Sequence, residues 1–211
     1  MVDNAFWERS WKSLEQETIS LYLENLDDSA DPMLEFLHER ACRTICDAGC
    51  GCGVYSLKLA MHGFSVSGFD ISEDAVSLTV KLLSDRGYAV HGFHTASILS
   101  TGYPDEAYDA VVARDVLDHL PIRIGKASIS ELLRITRPGG CVLLTLDRTD
   151  AEYESEPHVG NADDDYIYTD GKWKGMVFHP YSLEEIGKLT SGYRARLLSS
   201  TESGFLLVLE K

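Results

Sequence analysis

The stretch Arg43-Thr44-Ile45-Cys46-Asp47-Ala48-Gly49-Cys50-Gly51-Cys52-Gly53 joins a short apolar run, an acid, and glycines at every second position. The run up to Asp47 reads as a buried strand, and the apolar spacing of Val54, Leu57, Leu59, Ala60 and Met61 reads as the opening of a helix. Glycines at a strand-to-helix turn permit positive φ and let a ligand approach the main chain where a side chain would collide. The helix N-terminus beyond them offers free amide hydrogens. The pattern predicts a site for a nucleotide-like cofactor.

The spacing chooses between cofactor classes. Gly51-Cys52-Gly53-Val54-Tyr55-Ser56 approximates the dinucleotide pattern but puts a serine where a third glycine or alanine should pack. Counted from Asp47, an acid stands two residues before the first glycine. A carboxylate repels a nearby pyrophosphate and suits a cofactor with a cationic end. The motif resembles that of the class I S-adenosylmethionine-dependent methyltransferases of the small, single-domain, bacterial type. Their first motif is an acid, any residue, then glycines at alternate positions, matched here by Asp47, Gly49, Gly51 and Gly53. The resemblance implies S-adenosylmethionine as cofactor, held around Asp47, Gly49, Cys50 and Gly51, with S-adenosylhomocysteine as product.

Later segments fit the same order. Phe64 to Ser72 reads as an alternating strand ending in Asp70, an acid placed to accept hydrogen bonds from ribose hydroxyls, with Ile71 beside it. Ser72 is the better helix cap, and Ile71 with Val76 is its expected staple. Strand three is expected at Ala89 to His94, leading to Ser97 and Ile98, where the family often has an acid for the adenine amino group. A serine hydroxyl accepts that bond more weakly, so main-chain groups of Ala96 to Ile98 are the alternative. Strand four, Tyr108 to Arg114, runs into Asp115-Val116-Leu117-Asp118-His119-Leu120-Pro121. By resemblance this segment, including Arg114 and Val116, passes beside the methionine moiety and leads to the acceptor. His119 is a candidate general base, or a positioning residue, and Arg114 and Asp115 either pair or stay solvated. The acid-Pro-Pro-aromatic and Pro-Cys motifs of enzymes that methylate bases are absent here, which disfavours nucleobase chemistry.

Arg137-Pro138-Gly139-Gly140 reads as a turn into strand five, Ser182 to Glu185 as a capping box stapled by Tyr181 and Ile186, and Tyr193 to Ser199 with Phe205 to Glu210 as a closing hairpin. The order predicts one α/β domain over residues 1–211. By resemblance it is Rossmann-like, a seven-stranded, mostly parallel sheet with helices on both faces and an antiparallel last strand.

The formal charge of -15, from 34 acids against 19 lysines and arginines, argues against a nucleic-acid partner. No signal-like or membrane-length apolar run appears, so a cytoplasmic enzyme without a membrane partner is expected. The odd count of five cysteines suggests reduced thiols. Cys46, Cys50 and Cys52 lack zinc spacing, and Asp163-Asp164-Asp165 reads as a solvated acidic stretch, so no metal is expected.

Two segments lie outside the cofactor motifs. Residues 1–40 hold Trp7 and Trp11 one turn apart and are expected to form a helical lid, or to pack on the core. Residues 148–181 are too long for a plain connection and carry Tyr166, Tyr168, Trp173, Met176, Phe178, His179 and Tyr181, one wall of a small-molecule pocket. His179 is a second candidate base. The expected activity is methyl transfer to a small acceptor. A dinucleotide oxidoreductase, a non-catalytic cofactor-binding regulator and a protein side-chain methyltransferase remain alternatives, and the oligomeric state, monomer or homodimer, stays open.

Overall fold

The computed structural model describes residues 5–24, 26 and 31–211. Of the expected lid at 1–40, residues 1–4, 25 and 27–30 lie outside the described residues. Three helices come first: α1 (Ala5–Lys12), α2 (Gln16–Glu24) and α3 (Pro32–Glu39). Strands and helices then alternate as β1 (Thr44–Ala48), α4 (Val54–Met61), β2 (Ser65–Asp70), α5 (Glu73–Asp85), β3 (Phe93–Thr95), β4 (Tyr108–Ala113), α6 (Gly125–Ile135) and β5 (Thr136–Asp147). An insertion follows, α7 (Ala151–Ser155), β6 (His158–Gly160), β7 (Tyr166–Tyr168) and β8 (Val177–Phe178). The chain closes with α8 (Leu183–Leu189), β9 (Arg194–Ser200) and β10 (Gly204–Glu210).

Seven strands form one sheet in the order β3-β2-β1-β4-β5-β10-β9. β10 runs antiparallel to both neighbours and the other pairings are parallel, so the Rossmann-like α/β sheet read from the sequence is the observed one. Alternate residues bury on opposite faces, as the pleat requires. Ile45, Ala110, Val112, Leu143 and Val208 pack with α3 and α4 residues such as Leu37 and Leu59. Cys46, Val111, Val142, Leu144 and Leu207 pack with Ile129, Leu132 and Ile135 of α6 and Leu189 of α8. With both faces covered, the strands read as near-continuous apolar runs.

The helix caps are local and come out as read. Ser72 accepts the Ala75 amide and opens α5, and Ser182 with Glu185 forms a complete capping box at α8. Three expectations need correction. β3 starts at Phe93 rather than Ala89, because the chain turns at Gly92 (φ 82°), where a Cβ would lie 2.7 Å from the Ser67 hydroxyl. Arg137 to Gly140 lies inside β5, as an irregularity where the pairing with β4 shifts between Tyr108 and Ala110. Asp165 is not solvated: it is fully buried, where its Oδ1 accepts the Ile122 amide at 3.1 Å and its Oδ2 accepts the Asn161 side-chain amide at 2.8 Å.

The insertion builds its own three-stranded sheet, β6-β7-β8, around Tyr168, Met176 and Phe178. Phe6 of α1 belongs to the same cluster, and Arg9 donates to the Lys174 carbonyl at 2.7 Å, so α1 and the insertion are joined. Among the described residues no helix is long and apolar enough to cross a membrane.

Candidate functional site

The strand order reverses between β1 and β4, and in open α/β sheets ligands bind beyond the carboxyl ends of strands at such a point. A cavity lies there, lined by Gly49, Asp70, Ile71, Ser97, Ile98 and Val116, with Trp7 and Trp11 of α1 and with Asp115 and His119. The three motif glycines have φ of 75°, 53° and 85° at Gly49, Gly51 and Gly53, the region that favours glycine. A Cβ at Gly49 would stand 2.6 Å from Val116 Cγ2, and one at Gly53 would stand 2.7 Å from the Thr79 backbone. These two glycines are demanded by packing. At Gly51 the atom approached is the Trp11 ring, at 2.9 Å.

Asp70 is buried at the tip of β2. Its Oδ2 accepts the Gly51 amide and its Oδ1 the Ser72 amide, each at 3.0 Å, so the second strand's acid braces the glycine turn. Burial pushes its carboxyl up, against the pull of these bonds. Asp47 lies beneath the turn, 2 % exposed, with the Ser56 hydroxyl donating to Oδ2 at 2.5 Å. Burial raises it to about 6. Neither Asp47 nor Cys50 lines the cavity, and Cys50 Sγ is 3.5 Å from the Thr79 hydroxyl. The Ser97 hydroxyl accepts the Leu99 amide at 3.2 Å, which leaves its own proton to donate.

Arg114 does not line this cavity and does not pair with Asp115: its guanidinium lies over the Tyr55 ring, 4.6 Å from the centroid, and Asp115 instead accepts the Thr145 hydroxyl at 2.6 Å. His119 does line it. Its ring meets Trp7 edge-on at 5.1 Å, its Nδ1 is buried without a hydrogen-bond partner, and burial pushes its pKa down. His179 is elsewhere. It is 1 % exposed, with Nδ1 3.0 Å from Asp165 and Nε2 3.3 Å from Glu185 without hydrogen-bond geometry, and it lines none of the described cavities. Its surroundings make it a brace between the insertion and α8 rather than a base in the cleft.

The cover is aromatic. Trp7 and Trp11 stack at 6.2 Å, the indole Nε1 of Trp11 is buried with no partner, and Glu8 accepts the Ser72 hydroxyl at 3.0 Å, which ties α1 to the start of α5. Only about 90 Å³ is free in the cleft, against about 300 Å³ or more for ordinary ligand pockets. A second cavity of about 510 Å³ shares Trp7, Trp11 and His119 and adds Tyr153, Trp173 and Met176. Thr79, whose hydroxyl donates to the Gly51 carbonyl at 2.8 Å, and Glu8, which accepts from Ser72, adjoin the site and were not singled out in the sequence.

Residues 45–140 match a family model described as a methyltransferase domain. The chain is 34% identical over 114 residues to a ubiquinone biosynthesis O-methyltransferase of Nitrosomonas europaea, covering 53% of this chain and 47% of that protein. It is 37% identical over 103 residues to a tRNA (carboxymethyluridine(34)-5-O)-methyltransferase of Arabidopsis thaliana, covering 48% of this chain and 23% of that protein. The chain thus spans about half, or less, of the length of these curated relatives. In fold it resembles a protein from Pyrococcus horikoshii OT3 with a TM-score of 0.72 at 20% identity, covering 93% of this chain and 92% of that one. The segment 45–140 thus resembles a methyltransferase domain, and the sheet built on it has the fold of the solved structure it matches.

Proposed function

We propose that this chain transfers the methyl group of S-adenosylmethionine to an oxygen of a small organic acceptor. The observation that carries it is the cleft at the β1/β4 reversal, where Gly49, Asp70, Ile71, Ser97, Ile98 and Val116 converge under an aromatic cover that adjoins a second cavity. In this reading residues 1–211 are one domain, 1–40 serve as its lid, and 148–181 form the wall of the acceptor pocket. Asp70 accepts the ribose hydroxyls, Gly49 presents its carbonyl side to the methionine end with Cys50 and Gly51 shaping the turn behind it, and Ser97 and Ile98 take the adenine. Asp47 acts from beneath the turn, through its shape. Arg114 and His179 are given no part.

The cofactor supplies a methyl group on a sulfonium, an electrophile that needs no further activation. The acceptor oxygen forms the new bond to carbon as the carbon–sulfur bond breaks, and the sulfur leaves with that electron pair. The protein's part is alignment and exclusion of water. A hydroxyl acceptor must also lose its proton. His119, whose pKa burial pushes down and whose buried Nδ1 has no hydrogen-bond partner, lines both cavities and is placed to take it. The O-methyltransferase relatives support an oxygen acceptor. The charge of -15 counts against an RNA acceptor of the kind one of them names.

The test is thermal unfolding with S-adenosylmethionine, S-adenosylhomocysteine, NAD and NADP in parallel. A ligand at about 100 times its Kd adds about 2.7 kcal/mol of stability. A rise in Tm with the two sulfur compounds alone, lost in Asp70→Ala, is expected. A rise with NAD or NADP alone overturns the assignment.

A further inference from the structure

Two buried polar atoms without a hydrogen-bond partner, Trp11 Nε1 and His119 Nδ1, belong to residues that line both the cofactor cleft and the second cavity. The Trp7 ring touches both residues, stacked on Trp11 at 6.2 Å and edge-on to His119 at 5.1 Å. A buried donor or acceptor left unmade costs stability. Two of them on one shared wall point to a ligand that completes both.

The two atoms are of opposite kind. An indole nitrogen only donates. In the imidazole the roles depend on the other nitrogen. The carbonyl of Val177, in β8 of the insertion, accepts a hydrogen bond from the His119 ring, and since Nδ1 has no partner the donor is Nε2. Burial pushes the ring below its usual pKa of 6.5, so above that pH it carries a single N–H and Nδ1 presents a bare lone pair. Both rings are also held in place. The six-membered edge of Trp11 rests on Gly51, with Cη2 2.9 Å from where a Cβ would stand, and α1 is tied down by Glu8 to Ser72 and by Arg9 to the Lys174 carbonyl.

We propose that Trp11 Nε1 and His119 Nδ1 form a donor–acceptor pair that selects an un-ionised hydroxyl on an aromatic acceptor, with Trp11 as the specificity residue. A hydroxyl accepts from the indole and donates to the imidazole. A carboxylate has no proton for Nδ1 and sets its charge against that lone pair, while an ammonium has no lone pair for the indole. The aromatic part follows from the second cavity, about 510 Å³, where Tyr22, Tyr153, Trp173 and Met176 add to the two tryptophans. Its lysine, Lys172, is already paired with Glu152, so among the described residues of this wall no cation is left for a carboxylate. The use of this selectivity rests on the methyl-transfer reading, whereas the selectivity itself does not.

The experiment is an NMR titration with phenol, toluene, benzoate and benzylamine, each with and without saturating S-adenosylhomocysteine. At about pH 7.5 phenol keeps its proton, benzoate is an anion and benzylamine a cation, which also tests the pull of Glu15 on the second cavity. Only three indole signals are present to follow. Phenol should bind most tightly of the four and shift the Trp11 indole proton, and the free protein should show His119 as the Nε2–H tautomer. Trp11→Phe keeps an aromatic ring and loses the donor. It should weaken phenol about three- to tenfold, the worth of one hydrogen bond, and leave toluene unchanged. Should that variant fail to fold, the wild-type order of the probes and the indole shift decide alone. Absence of phenol binding, benzoate or benzylamine bound as tightly as phenol, phenol affinity unchanged in Trp11→Phe, or an Nδ1–H tautomer overturns the proposal. Failure of S-adenosylhomocysteine to bind overturns the methyl-transfer reading instead, and the order of the probes still judges the pair.

Discussion

The glycine turn and the aromatic cover meet where the Trp11 ring rests on Gly51, yet they are built in opposite ways. The turn is seven residues of contiguous chain whose conformations are fixed by steric exclusion. The cover is assembled from Phe6, Trp7 and Trp11 at one end of the sequence and Tyr153, Trp173 and Phe178 far along it, held by ring contacts such as the Tyr153–Phe178 stack at 4.0 Å. A sterically fixed turn cannot vary and keep its shape. A stacked cover can exchange one ring for another, which makes it the natural place for acceptor choice to reside.

The largest effect should come from violating the turn. Gly53→Ala combines a φ of 85° with a Cβ 2.7 Å from a backbone atom of Thr79, and should cost about 3 kcal/mol in urea unfolding. Gly187→Ala in α8, where nothing lies within 4 Å, should instead gain about 0.5–1 kcal/mol. Equal losses at the two glycines would break the contrast.

Beneath the turn, Asp47 sharpens it. Its folded pKa is raised from the ordinary 3.8 to about 6, so the folded state binds the proton more tightly than the unfolded chain does. The cost of the buried charge is therefore absent below about pH 4 and fully present above about pH 6. Asp47→Asn keeps an oxygen for the Ser56 hydroxyl and should raise stability at pH 8 by about 2 kcal/mol while changing little at pH 4. If the asparagine variant is no more stable at pH 8, Asp47 is ionised against a partner and meets the cofactor's cationic end directly.

The turn, the caps and the sheet order were legible because each is written in neighbouring residues. Positive φ selects glycine, Ser72 and Ser182 announce helix starts, and strands buried on both faces show as apolar runs. Asp165 was misread because the solvated appearance of three consecutive acids says nothing of the Ile122 amide 43 residues away, which it accepts from inside the fold. His119 and His179 look alike in sequence, and only the packing of the insertion sends one into the cleft and the other between Asp165 and Glu185. Asp115, Asp118 and Asp147, whose carboxylates lie within 4.8 Å of one another, had a faint signal. Acids just past two apolar strands become neighbours once those strands pair, but the pairing of β4 with β5 is topological information.

A gentler effect is expected at the contact between the two regions. With about 90 Å³ free, the cleft admits a cofactor only when α1 moves, and a cover closed about nine-tenths of the time lowers apparent affinity about tenfold. Trp11→Ala should speed cofactor association in stopped-flow measurements by up to that factor. An unchanged association rate would mean that the ring is not the obstacle.

The smallest effect is expected on the cover's rim. Lys172 pairs with Glu152 and lies over Trp173, 4.4 Å from the ring centroid, but its side chain is half exposed to solvent that screens both contacts. Lys172→Ala should leave Tm unchanged within error at low and high salt alike. A clear loss that salt abolishes would show that charge rather than ring stacking holds the insertion in place. The cover would then be as constrained as the turn, and the acceptor pocket would have to be sought in a part of the molecule free to vary.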